Sequence, residues 1–298
     1  MDSISLKAYA KINIGLDITG KREDGYHLLK TCMQSINIYD VVSVSKGVPF
    51  QEEEIKITSD SENLPLDKTN IAWKAAALVK EKFGISDPVV IDITKNIPAA
   101  AGLAGGSSDG AAVIKAMNVL FGLRMDLKAM DEIAAKLGAD VPFCLRTGLW
   151  LCEGIGEILT PLFALEGVCA VVVKPWFEVS TKWCYERYDA LENNIHPDID
   201  AMLAAAAQGD LALACRNCGN VLELASAPAH PEIYEMKKIM MLNGAQGAFM
   251  SGSGGTVFGL FSDMEKARQA LRCFEGSSIA QCAFLAEFVN QAPVNLSS

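Results

Sequence analysis

Apolar and polar positions alternate strictly over residues 10–18 (AKINIGLDI). A period of two puts Ile12, Ile14, Leu16 and Ile18 on one face of a strand and Lys11, Asn13 and Asp17 on the other. A half-buried strand turns its polar face to water. Gly15 interrupts that face, however, and leaves room beside Lys11 and Asn13 for a ligand. Short β-branched runs at 41–45, 55–57, 89–93 and 170–173 predict further strands, and 283–289 a last one. Residues 248–258 read as strand, Gly/Ser loop, strand. Helices are predicted from Thr69-Asn70 to about Phe83 with Gly84 as the stop, over 111–120, and over 127–137 between an Asp126 cap and Gly138. Others begin at Ser180 or Thr181, span 197–208, include Asn220–Glu223, and span 231–242 before Asn243-Gly244. Glu52-Glu53-Glu54 reads as a solvated turn and the last nine residues as a frayed end. No repeat is visible, and the turn-rich stretch from Glu153 to Pro161 marks a division into 1–159 and 160–298.

Between the strand at 89–93 and the helix at 111–120 lies PAAAGLAGGSSDG, residues 98–110, in which Leu103 is the one bulky side chain. Glycines and alanines let backbone N–H groups approach a ligand closely, and a helix N-terminus attracts an anion. Ser107 or Ser108 is placed to cap that helix. The stretch reads as a phosphate cradle, although a tight strand–helix turn has the same composition. It lacks the Gly-Lys-Ser/Thr ending of a Walker loop and the spacing of the dinucleotide fingerprint.

The chain has 298 residues, half of them hydrophobic, and a formal net charge of −10. That charge argues against binding to nucleic acid or anionic membrane, and an anionic ligand must be held by local donors. No apolar run is long enough for a membrane span, and the N-terminus lacks the layout of an export signal. Nine scattered cysteines then fit buried, reduced thiols in the cytoplasm. Cys215-Arg216-Asn217-Cys218 is a lone C-x-x-C and reads as structural; no zinc and no disulfide are expected. Asp140, flanked by Ala139, Val141, Pro142 and Phe143, is expected in apolar surroundings, where a carboxylate needs a cation such as Lys11; a helix-terminal aspartate bonding its own backbone is the alternative.

The cradle resembles the phosphate-binding motif of the GHMP kinase superfamily. Ala10-Lys11-Ile12-Asn13, followed by Arg22-x-Asp24-Gly25-Tyr26-His27, and Gly138-Ala139-Asp140-Val141-Pro142 are similar to the branch that phosphorylates carbon-2 hydroxyl of diphosphocytidyl methylerythritol. The resemblance implies an α+β fold of two domains, the N-terminal one like ribosomal S5 domain 2 and the C-terminal one ferredoxin-like. It implies Lys11 and Asp140 as catalytic residues. Asn70, Lys95, Pro98, Gly102, Leu103, Gly105, Gly106, Ser107 and Ser108 would hold ATP with its Mg²⁺, and no side chain is assigned as a metal ligand. Asn13, Tyr26, His27, Thr181 and Tyr185 would meet the substrate, Tyr185 stacking on its cytosine. The loop Gly252-Ser253-Gly254 would approach the phosphates. A homodimer is compatible with this reading. Two positions depart from the family pattern: Gly110, expected to fray the cradle helix, and Gly255, expected to loosen the closing loop. The alternatives are a kinase of homoserine or mevalonate type, disfavoured by Tyr26, His27 and Tyr185, and a non-catalytic nucleotide-binding module, disfavoured by Lys11 with Asp140.

Overall fold

A computed structural model describes residues 2–47, 54–163, 165–192 and 194–290. The turn expected at Glu52-Glu53 and nearly all of the expected C-terminal fray lie outside the described residues. The chain forms two compact units whose segments interleave: 1–10, 38–98 and 104–147 in the first, and 11–37, 99–103 and 148–298 in the second.

Two long strands, β1 (Ser3–Lys21) and β2 (His27–Lys46), each contribute to both units. In the first unit the end of β2 pairs antiparallel with β4 (Val89–Thr94), and β3 (Ile55–Ser59) pairs parallel with β4. Helices α1 (Ile71–Phe83), α2 (Gly105–Leu120), α3 (Leu127–Ala134) and the short α4 (Val141–Cys144) share one apolar core with those strands. The caps expected for α1 and α3 are present. Asn70 accepts from Ala72 N and Gly84 takes the left-handed conformation after α1, while Asp126 accepts from Ala129 N. Helix α3 stops three residues short of 137, where the backbone tightens into i→i−3 bonds from Lys136 and Leu137.

In the second unit the start of β2 pairs with β5 (Leu149–Gly154), which pairs with β6 (Ile158–Pro161). The remaining elements are β7 (Cys169–Lys174), α5 (Thr181–Asp189), α6 (Ile199–Ala207), α7 (Leu211–Asn217), α8 (Glu223–Ser226), α9 (Glu232–Leu242), β8 (Gly247–Met250), β9 (Val257–Phe261), α10 (Met264–Arg272) and β10 (Cys282–Glu287). The last four strands form an antiparallel sheet in the order β10-β7-β9-β8. This is the β-α-β-β-α-β order of a ferredoxin-like sheet, with α5 to α9 as an enlarged first crossover. Its core runs from Val171 and Val173 to Met236, Met240 and Phe261.

Three local expectations are corrected. Neither face of β1 is open to water along 10–16: Lys11 and Asn13 are as buried as Ile12. Gly15 leaves no room for a ligand, because a Cβ there would lie 2.6 Å from Ile199 Cδ1; its missing side chain admits α6. Finally, α2 begins at Gly105, so Ser107 and Ser108 lie inside its first turn and neither caps it.

Candidate active site

The first unit holds Asn70, Lys95, Pro98, Gly105, Gly106, Ser107, Ser108 and Asp140; the second holds Lys11, Asn13, Tyr26, His27, Gly102, Leu103, Thr181, Tyr185, Gly252, Ser253 and Gly254.

In the first unit, the residue before α2 is Ala104, in the left-handed conformation at φ 59° with no capping side chain. The first helical bond runs from Ser108 N to Ala104 O. The N–H groups of Gly105, Gly106 and Ser107 therefore have no acceptor among the described residues, and they add to the positive end of the helix dipole. A left-handed alanine costs about 1–2 kcal/mol, so the turn is held against its preference. Ser108 is fixed from below, its hydroxyl donating to Tyr9 O at 2.6 Å.

Lys95 lies close beneath this turn, 3.5 Å from where a Cβ on Gly105 would sit. Its ammonium bonds Asp40 and, at 2.8 Å, Asp109. The other oxygen of Asp40 accepts from Asn96 N and Ile97 N at 2.6 and 2.8 Å, which fixes the exit from β4. Burial pushes the Asp109 carboxyl up to about 7; Lys95 opposes the shift and Asp40 adds to it. Asp109 Oδ1 is buried without a partner. For Lys95, burial works downward, but the two carboxylates prevail and its pKa is raised. Lys95 is thus already neutralised by protein carboxylates. Asn70 is likewise engaged, capping α1 and donating to Pro65 O at 2.7 Å. Pro98 is half-buried at the entry to the turn. Asp140 stands at the start of α4, half-buried, and its side chain makes no capping bond there.

In the second unit Asn13, Gly102 and Leu103 gather about Lys11. Its ammonium donates to Asn13 Oδ1 at 2.7 Å and to Gly102 O at 3.0 Å, and its N–H donates to Leu103 O. Asn13 Nδ2 donates to Thr31 Oγ1 at 2.9 Å, which donates to Gly15 O. Ser251 Oγ accepts from Asn13 N and donates to Gly102 O at 3.1 Å. Gly102 has φ 69°, and a Cβ there would meet Ser251 O at 2.5 Å, so the position demands glycine. Leu103, the one bulky residue of the stretch, is buried and anchors it.

The loop 252–254 is tied from three sides. Asn220 Nδ2 donates to Met250 O and Gly252 O, Ser226 Oγ donates to Ser253 O, and the Ser253 hydroxyl pairs with that of Thr181 at 3.0 Å. Gly255 does not loosen it: a Cβ there would lie 2.5 Å from Phe177, so close packing occupies that side. His27 lies 4.8 Å from the Tyr185 ring at 33°, and its Nε2 pairs with Asp189 Oδ1 at 2.7 Å. Tyr26 projects into solvent, 61% exposed.

The sequence reading missed Asp40, Asp109, Thr31, Ser251, Ser226 and Asp189. Asp109 carried a signal, since an aspartate inside a buried, alanine-rich helix requires a partner. The others become informative only once distant segments meet.

Cys215 and Cys218, with Cys32, Ile14 and Met202, line an apolar cavity in the second unit. Burial pushes Cys32 up to about 12 and Cys215 to about 11, and raises Cys218 well above the ordinary thiol value, so these thiols stay protonated and poorly nucleophilic.

Family models for the GHMP kinases N terminal domain and the GHMP kinases C terminal domain match residues 70–148 and 202–277. A 4-diphosphocytidyl-2-C-methyl-D-erythritol kinase of Clostridium perfringens is 44% identical over 287 residues, covering 96% of this chain and 99% of the relative. One of the same name from Clostridium acetobutylicum is 45% identical over 266 residues, covering 89% and 94%. Among solved structures, a 4-(cytidine 5'-diphospho)-2C-methyl-D-erythritol kinase superposes with a TM-score of 0.78 at 32% identity, covering 96% of this chain and 99% of that one. A homoserine kinase from Cytophaga hutchinsonii superposes with a TM-score of 0.79 at 23% identity, a likeness of fold.

Proposed function

The chain belongs to the 4-diphosphocytidyl-2-C-methyl-D-erythritol kinase family of the GHMP kinases, and from that premise we propose that it transfers the γ-phosphoryl group of ATP to the carbon-2 hydroxyl of diphosphocytidyl methylerythritol. The observation that carries this reading is the uncapped start of α2, whose three free N–H groups suit phosphate oxygens. Phosphoryl transfer relies mainly on positioning and charge stabilisation, so a backbone cradle and two charged side chains suffice. In this reading Asp140 takes the proton of the attacking hydroxyl and Lys11 stabilises the charge that develops. The network of Asn13, Gly102 and Ser251 around Lys11 holds its ammonium in one place.

Mg²⁺ fits as the nucleotide's own counter-ion. Among the described residues no cluster of three or more His, Cys, Asp or Glu side chains could hold a metal. A magnesium ion bound mostly by phosphates and water needs only one or two protein oxygens. The Ser107 hydroxyl, in the first turn of α2, has no hydrogen-bond partner among the described residues and would supply one. When bound, the ion offsets phosphate charge.

Lys95 and Asn70 act on the nucleotide side through the backbone they fix. Thr181, Tyr185, Tyr26 and His27 form the substrate side, with His27 reading the edge of the cytosine. The division at 159/160, the cytoplasm as compartment and a homodimer belong to the same reading. Among the described residues no helix is long and apolar enough to cross a membrane.

The test is ATP consumption against a panel of alcohols. Turnover is expected with diphosphocytidyl methylerythritol and not with homoserine, mevalonate or free methylerythritol. Equal turnover of the free alcohols would replace this reading with that of a general GHMP kinase.

A further inference from the structure

Asp189 lies at the last turn of α5, one turn beyond Tyr185, and its two oxygens are both in use. Oδ1 pairs with His27 Nε2 at 2.7 Å, and Oδ2 accepts from Lys21 Nζ at 2.6 Å. The hydrogen bond from Lys21 comes first among the causes that hold this carboxyl below the usual aspartate range, and His27 adds to it. An ionised carboxylate only accepts, so the hydrogen between Asp189 and His27 sits on Nε2. In the neutral form of the ring that tautomer leaves a bare lone pair at Nδ1, which has no partner among the described residues. The ring itself is held in place, tilted 33° against Tyr185 at 4.8 Å and edge-on to Tyr188 at 6.3 Å.

We propose that Asp189 is a positioning residue that fixes the tautomer of His27, presenting Nδ1 as an acceptor and making the pocket prefer a pyrimidine that offers an amino group over one that offers a carbonyl. This rests on the reading that His27 meets the base of the substrate. An acceptor facing the exocyclic amine of cytosine gains a hydrogen bond; facing the carbonyl at the same place in uracil, it meets a second lone pair. A polar group left unpaired in a binding site is a strong source of discrimination.

Lys21 makes the idea testable. Its ammonium can only donate, so an asparagine at position 189 turns its carbonyl oxygen to Lys21 and its NH₂ to His27. Nε2 then becomes the acceptor, the ring proton moves to Nδ1, and the face shown to the base changes from acceptor to donor. The experiment compares wild type with Asp189→Asn in two ways. Long-range ¹H–¹⁵N spectra of the free protein report the His27 tautomer, with His27→Gln used to assign the signal among the three histidines. Steady-state kinetics give kcat/KM for the cytidine and the uridine forms of the substrate. The expected result is an Nε2–H tautomer in wild type, an Nδ1–H tautomer in the variant, and a cytidine-to-uridine ratio that falls roughly ten-fold or more. A fold-stabilising role alone would lower both rates together and leave the ratio unchanged. The proposal is overturned by an Nδ1–H tautomer in wild type, by an unchanged tautomer in the variant, or by a switch that leaves the ratio intact. Failure of the kinase reading looks different: wild type then turns over neither substrate, whatever its tautomer.

Discussion

Two aspartates in this chain have contrasting environments. Asp109 is enclosed, with one oxygen on Lys95 and the other unpartnered, whereas Asp140 stands half-buried at the start of α4 with its side chain unused as a cap. The proton is assigned to Asp140 and not to Asp109 because Asp140 lies in Gly138-Ala139-Asp140-Val141-Pro142, the segment that resembles the family's catalytic one. Asp140→Asn keeps the shape and removes the base. Turnover is expected to fall roughly 10²–10⁴-fold, the scale of a general base, while ATP affinity by calorimetry stays within a few-fold. Near-normal turnover would remove Asp140 from the reaction. At this scale the sequence was legible where chemistry is local. Lys11, Asn13, Gly102 and Ser253 all take part in the networks of the second unit. The resemblance implied Lys95 in the ATP site, but the two carboxylates that engage its ammonium were not legible, because they lie 55 and 14 residues away and no local pattern announces Asp40.

Helix α2 shows what an element adds to its residues. Apolar spacing located its body, but the start was placed six residues late, because Gly-Gly-Ser-Ser reads as turn when propensity is taken alone. Packing against α1 overrides that preference. Gly110 is part of the reason: a Cβ there would lie 2.7 Å from Ile71 Cγ2, so the glycine allows the two helices to approach closely and does not fray the end. Gly110→Ala sets two effects against each other. The helix gains about 0.5–1 kcal/mol from reduced backbone freedom; overpacking against a β-branched side chain costs about 1–3 kcal/mol. The second wins, and a net loss of about 1 kcal/mol is expected in urea unfolding, with the slope unchanged. A gain in stability would show that Ile71 moves aside freely. Elements with strong borders, such as α1 between Asn70 and Gly84 or β8 and β9 about their loop, were legible; α7, β5 and β6 were not. Their sequences carry no clean period, and the strands exist because β2 offers an edge to β5, and β5 in turn to β6.

For the molecule as a whole, stability against pH collects the groups whose protonation changes on folding. Asp189 is lowered by its bonds to Lys21 and His27, so its contribution is present above the ordinary aspartate value of 3.8 and is lost as acid protonates it. Asp109 behaves in the opposite sense. Its carboxyl rises from 3.8 unfolded to about 7 folded, so between these values the folded chain binds a proton that the unfolded chain does not. Stability from this group is therefore full below about pH 4, declines as pH rises through the window, and is lost above about 7. The cost at high pH is that of ionising a buried carboxylate beside Asp40, which Lys95 offsets only in part, since one ammonium serves two carboxylates. With a net charge of −10, the chain has no general excess of cations to help. Asp109→Asn keeps the bond to Lys95 through the amide oxygen and removes the titration. The difference in unfolding free energy, wild type minus variant, is expected to fall by about 1–3 kcal/mol between pH 5 and pH 8, read from urea unfolding at a series of pH values. Parallel pH profiles for the two proteins would mean that Asp109 is ionised at both ends of the range, and that Lys95 holds both carboxylates fully charged beneath the cradle.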